Sequence, residues 1–292
     1  MRKAVGIALN HSEIDVHVEP PPGGWWGARQ GLEVPERWRE AAGRFRGELG
    51  VPAGRVMMSG HQPGFWHAGI LAKVLAVDAV CGAGCAAAWV VVDHDPDSPV
   101  ALRFPTRGWG EEAARFADGE GRAPSGCAPW RGERLEAAGA FDALVEPIGR
   151  VEAAMRAHAS AANLERQVTL AGAELLDGAG LPGRVLRDSF AASRIGRTAL
   201  FEAIVREWSE PARAVEAVRA YNRAAAAYPE AGIRPLEVSD ADAELPVWRV
   251  EGGRRLRVMA SAVGGGALVP RALFMTMLLR LAGCDVFVHG LG

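Results

Sequence analysis

The sequence predicts an α/β protein: a parallel sheet core, a helical insertion and a small β-hairpin element. Three observations carry this. Residues 55–59 are a short apolar run, bounded by Gly60, that reads as a buried strand. From His67 to Val80, apolar residues Ile70, Leu71, Val74, Leu75 and Val77 recur at helical spacing. Residues 86–92 form a second apolar run that ends at Asp93. Strand, short loop, helix and strand in that order make a βαβ unit, and its strands are parallel.

The flanking elements follow from local signals. Residues 1–34 read as irregular, with Pro20-Pro21-Pro22-Gly23-Gly24-Trp25-Trp26-Gly27 as a breaker-rich loop. Trp25 and Trp26 are expected to pack over the edge of the core rather than cap a pocket. A helix is expected over 36–49, with Pro35 at its start and Gly50 at its stop. Residues 100–104 alternate as a third strand, and the Gly-, Pro- and charge-rich stretch 106–130 reads as a loop or insertion. Helices are expected over 132–145, 147–178 with a break, 188–208 and 211–228, the last opened by Pro211. Residues 233–238 read as extended, 247–258 as a hairpin turning at Gly252-Gly253, 271–281 as an amphipathic helix and 285–289 as a final buried strand. The expected organisation is an N-terminal segment (1–54), the first part of the core (55–130), a helical insertion (131–230) and a closing hairpin, helix and strand (231–292).

Bulk chemistry narrows the function. Of 292 residues, 49% are hydrophobic and 23% charged, and the formal net charge is -2, which leaves no basic excess for nucleic acid or a membrane surface. The four cysteines contain no Cys-x-x-Cys, and Cys81-Gly-Ala-Gly-Cys85 reads as buried or loop thiols rather than a metal or disulfide site. Met1-Arg2-Lys3-Ala4 is not followed by an apolar signal region, and apolar stretches are broken well before about 18 residues. A cytoplasmic protein with a small-molecule substrate is expected.

In open parallel sheets ligands bind at the carboxyl ends of strands. Three polar clusters follow predicted strands and are expected to meet there. Gly60-His61-Gln62-Pro63 leads into the first helix, whose free N–H groups favour an anion. His61 and His67 flank that helix start and are candidate catalytic groups, able to donate to a phosphate as charge develops. Lys73, nearly two turns along the helix, is a candidate ligand-binding residue that need not point back. Asp93-His94-Asp95-Pro96-Asp97-Ser98 follows the second strand. There Asp93 and His94 are catalytic candidates, His94 as general base, Asp95 is a ligand-binding candidate, and Asp97 reads as a solvated turn. Carboxylates at that place suit Mg²⁺ bridging phosphates, a substrate ammonium or a sugar hydroxyl. His289-Gly290-Leu291-Gly292 follows the last strand, and Arg271 opens the preceding helix within reach of an anion. The last strand is expected either at the sheet margin or as the end of a shortened relative. No Gly-x-Ser-x-Gly, Walker loop, His-Glu-x-x-His or Gly-x-Gly-x-x-Gly after the first strand occurs, which disfavours serine hydrolase, P-loop, zincin and dinucleotide readings.

Ser59-Gly60-His61-Gln62-Pro63-Gly64-Phe65, with Gly69 and Lys73, resembles the Gly-Gln-Gln-x-Gly-Leu…Lys segment of the bacillithiol-biosynthesis cysteine-adding enzymes, the BshC family. Val92-Asp93-His94-Asp95 resembles that family's Glu-Asp-His-Asp, and Pro270-Arg271 with Val286-Phe287-Val288-His289-Gly290 resembles its late strand and turn. The departures are His61 for the first Gln, Val92 for Glu, a shorter chain and no coiled-coil segment. The resemblance implies a Rossmann-like core akin to nucleotidylyl transferases and class I aminoacyl-tRNA synthetases. His67-Ala68-Gly69-Ile70 is similar to that superfamily's His-x-Gly-His, with Ile70 for the second His. It also implies a ligase or transferase that joins an amino acid or thiol to a small acceptor, with an adenine nucleotide and Mg²⁺ as candidate cofactors. The His-Gln-Pro…Gly…Lys pattern, one residue short, is also similar to WbqC-like proteins, which implies transfer in surface-glycan synthesis. A non-catalytic relative that keeps the fold for binding is the third expectation.

Overall fold

The βαβ unit expected at residues 55–92 is present in the computed structural model, which describes residues 33–66, 68–80, 84–95, 100–107, 111–116, 122–132, 135, 139–229, 232–252 and 254–289. Trp25, Trp26, His67, Cys81, Asp97, Gly253 and Gly290 lie outside the described residues. Helix α1 (Arg39–Leu49) leads to strand β1 (Val56–His61), helix α2 (Ala68–Val80) and strand β2 (Ala86–Val91). α1 stops where expected: Gly50 turns left-handed at φ 74°, and its N–H donates to the Arg46 and Gly47 carbonyls. β1 and β2 pair in parallel from Val56 opposite Ala86 to His61 opposite Val91. Val56, Met58, Ala88 and Val90 join the main hydrophobic cluster. Met57 and Trp89 are just as buried and leave the opposite face, where α2 packs. Both faces are covered, as a parallel sheet requires.

Strands β3 (Ala101–Pro105) and β4 (Glu111–Arg115) follow, then helices α3 (Asp142–Ala157) and α4 (Leu164–Gly178) and the single turn α5 (Arg184–Arg187). Strand β5 (Phe190–Ala191) precedes helices α6 (Ala199–Trp208) and α7 (Pro211–Ala227). Strands β6 (Glu244–Glu251), β7 (Arg254–Met259) and β8 (Ala267–Pro270), helix α8 (Ala272–Leu278) and strand β9 (Val286–Phe287) complete the order. The central sheet reads β5-β2-β1-β9, with every pair parallel. In order of appearance that is third, second, first, fourth, the strand order of a Rossmann core. β9 sits at the sheet margin. Arg46 and the Val56 N–H both bond Asp285 Oδ2, at 3.0 and 2.9 Å, which ties the start of β1 to the residue before β9.

Several elements depart from the sequence reading. The helix expected over 188–208 contains β5 and a 3₁₀ turn (Ala192–Arg197). It becomes α-helical only at Ala199, where the Thr198 hydroxyl accepts from the Phe201 N–H. β3 pairs with β4, which lies inside the stretch read as a loop. The helix expected from 132 starts at Asp142, because Ala140 bridges to Thr106 instead. The break in 147–178 falls at residues 158–163, where Asn163 Oδ1 accepts from the Arg166 N–H at 2.9 Å. The β6–β7 hairpin forms as expected, and β8 adds a third antiparallel strand to it. Among the described residues, no helix is long and apolar enough to cross a membrane.

Candidate functional site

The chain leaves β1 in both directions, toward β2 and toward β9, so the topological switch point lies at the carboxyl ends of β1 and β9. Gly60 and His61 end β1 there. Gly60 has no room for a side chain, because a Cβ would run into Val90 Cγ1 and the Val90 carbonyl of the neighbouring strand. Its glycine is thus explained by strand packing, not by ligand approach.

Lys73 does point back. Its Nζ lies 3.5 Å from the Gly60 carbonyl, and desolvation lowers its pKa. The β9 side is fixed by Ser59 Oγ, which donates to the Val288 carbonyl at 2.7 Å. His289 follows, with its ring 4.6 Å from that of Phe287. His289 is an exposed residue, yet desolvation of the ring, with Lys73 and Arg280 as cationic neighbours, holds its pKa below the ordinary imidazole range. Lys73 thus brings a cation and His289 a neutral imidazole to the switch point, while Arg280, in the helical turn that enters β9, acts on His289 electrostatically.

The β1 turn connects sideways to the second cluster. Trp66 Nε1 donates to the Gln62 carbonyl at 2.9 Å, and the Trp66 ring meets His61 edge-on and lies tilted against Trp89. Gln62 Nε2 donates to Asp95 Oδ2 at 3.2 Å, and Asp95 Oδ1 pairs with Arg255 at 3.0 Å. Arg255 lies over Trp248, and Arg271 lies over the same ring, 3.6 Å from its centroid. Arg271 bonds Glu244 and the Val247 carbonyl, so it belongs to the three-stranded sheet rather than to the switch point. Gly69 is exposed on the first turn of α2.

Asp93 and His94 face elsewhere. Both are buried, at 1% and 3% exposure, and both line an open cleft of about 840 Å³ that neither His61 nor His289 lines. Asp93 Oδ1 accepts from the Ser193 N–H at 2.8 Å and lies 3.5 Å from His94 Nδ1, a nitrogen that is buried without a well-aligned hydrogen bond. Burial raises the Asp93 pKa, but the His94 and Ser193 contacts outweigh it and leave the carboxyl below its usual value. Behind it sits buried Glu165, whose pKa burial and the Asp93 charge push up to about 7. Three polar clusters expected to meet at one place are thus split along one sheet edge, between the switch point with Lys73 and His289 and a separate cleft with Asp93 and His94.

The carboxylates that follow β2 do not fit a Mg²⁺ site: Asp95 is engaged by Gln62 and Arg255, and Asp93 by Ser193 and His94. Among the described residues, no group of three His, Cys, Asp or Glu is placed to hold a metal ion.

Glu165, Ser193, Arg197, Arg206 and Arg280 are not singled out by sequence reasoning. Each is an ordinary helix or turn residue until the fold brings it near Asp93, His94 or His289. Compared with protein-family models, with curated proteins and with solved structures, the chain has no match in any of the three.

Proposed function

We propose that the protein binds a phosphate-bearing small molecule, a nucleotide or phosphosugar, at the β1/β9 switch point, and acts as a BshC-like ligase or transferase. The observation that carries this is the pairing of the Lys73 ammonium, 3.5 Å from the Gly60 carbonyl, with His289 at the carboxyl ends of β1 and β9. An anion placed there meets the start of α2, the Lys73 ammonium and one N–H of a neutral His289 imidazole. Negative charge growing on a departing phosphate would fall beside the same groups, which is how preorganised donors accelerate group transfer.

The test is isothermal titration with adenine nucleotides and nucleotide sugars. Saturable binding is expected, weakened about tenfold by Lys73→Ala, the loss of one charge-assisted hydrogen bond. Because the anion favours protonated His289 and Lys73, binding should take up protons and strengthen as pH falls. Titration in two buffers of different ionisation enthalpy reads this directly. No binding of any nucleotide would overturn the reading, and binding confined to nucleotide sugars would move it to the WbqC-like class.

A second reading, a binding relative without catalysis, is favoured by the separation of Asp93 and His94 from the switch point. Single-turnover assays with a bound nucleotide and an amine or thiol acceptor distinguish the two.

A further inference from the structure

The cleft that holds Asp93 and His94 is unused by the reading above. Its walls come from different elements. Asp93 and His94 follow β2, Ser193 follows β5, Asn163 caps α4, and Arg197 and Arg206 come from the 3₁₀ turn and α6. The apolar floor includes Phe201 and Val269. At about 840 Å³ the cleft falls in the size range of small-molecule sites, and its mix of an apolar floor with a few converging polar groups is their usual lining.

We propose that this cleft is a second ligand site, taking a small anion that also carries a hydroxyl or primary amine. Arg197 and Arg206 line the cleft together with Glu202; both arginines are exposed and, among the described residues, neither is held in an ion pair, so their donors are open to an anion. Guanidinium recognises phosphate and carboxylate by paired N–H donors. Asp93 supplies the other half. Ionised and held by the Ser193 N–H, it favours the His94 tautomer that carries its hydrogen on Nδ1. That leaves Nε2 to accept from a ligand hydroxyl or amine. His94 Nδ1 lies 3.5 Å from Asp93 Oδ1, and no well-aligned hydrogen bond satisfies it. The cleft also lies on the same carboxyl edge as the switch point, displaced by two strand positions, or about 10 Å. This inference stands on the cleft alone and does not depend on nucleotide binding.

Glycerol 3-phosphate, which combines phosphate with hydroxyls, is the probe. In protein labelled with ¹⁵N-histidine, ring signals are assigned by single His→Asn replacement and followed during titration. Saturable movement of the His94 signals is expected. Arg197→Ala with Arg206→Ala, both exposed positions, should raise Kd about tenfold or more, as the loss of charge-assisted hydrogen bonds requires. The proposal is overturned if the His94 signals do not move saturably, if movement is confined to His289, or if the double arginine variant binds as tightly as the parent.

Discussion

Replacing Glu165 with glutamine tests the charge balance around Asp93. Glu165 is 5% exposed, and its carboxyl is raised from 4.5 to about 7 by burial and by the Asp93 charge, against a smaller pull from Thr169 and Arg166. Between those pH values the folded chain holds a proton that the unfolded chain has lost. Stability from this group is therefore complete below pH 4.5 and is lost as pH rises through 7. With about 1.4 kcal/mol per pKa unit, ionised Glu165 costs the folded state about 3 kcal/mol at pH 8. Glutamine removes that cost and keeps an acceptor for the Thr169 hydroxyl, which lies 3.3 Å from Glu165 Oε1. Glu165→Gln should thus be more stable than the parent by about 3 kcal/mol at pH 8 and by under about 1 kcal/mol at pH 5. Urea unfolding at the two pH values measures the difference. An equal effect at both, or a loss of stability at pH 8, would refute the reasoning.

Three further outcomes follow from the same geometry. Asp95→Ala leaves Gln62 and Arg255 without their shared partner and should cost about 1–3 kcal/mol in urea unfolding; an unchanged midpoint would show the bridge contributes nothing. Gly60→Ala drives a methyl into Val90 on the neighbouring strand and should lower stability by about 1–3 kcal/mol, read as a fall in Tm. Cys284, buried at 6% exposure with its thiol pushed up to about 12, should stay unalkylated by iodoacetamide at pH 8 in the native protein while partly exposed Cys85 reacts. Mass spectrometry of the peptides reports both, and equal rates would sink the assignment.

The fold was legible where breakers frame apolar runs. Gly60 and Pro63 bracket the end of β1, Gly50 stops α1, and Gly252 turns the β6–β7 hairpin; each shows its cause in one or two residues. β5 was not legible, because two residues cannot display a period. Phe190-Ala191 is a strand only through its pairing with Val90 and Val91. β4, Glu-Glu-Ala-Ala-Arg, has little strand propensity and exists because β3 offers it an edge. Asp93 and His94 announced themselves as chemistry after an apolar run. Glu165 did not, since an acid in the first turn of a helix reads as ordinary compensation of its dipole. Its proximity to Asp93 is a tertiary fact.

The sheet order carries a consequence for how the molecule is made. β1 and β2 are neighbours in sequence and pair at once, but β9 joins β1 through contacts 229 residues apart, such as Ser59 with Val288. Pairings of such long separation close late, after the entropy of the intervening loop has been lost. During synthesis the strand bearing His61 must therefore wait, one edge unpartnered, while the helices and hairpin emerge. The switch point comes into being only when residues 285–288 arrive, so a nascent chain that has emerged no further than β8 should hold β1 with that edge still open.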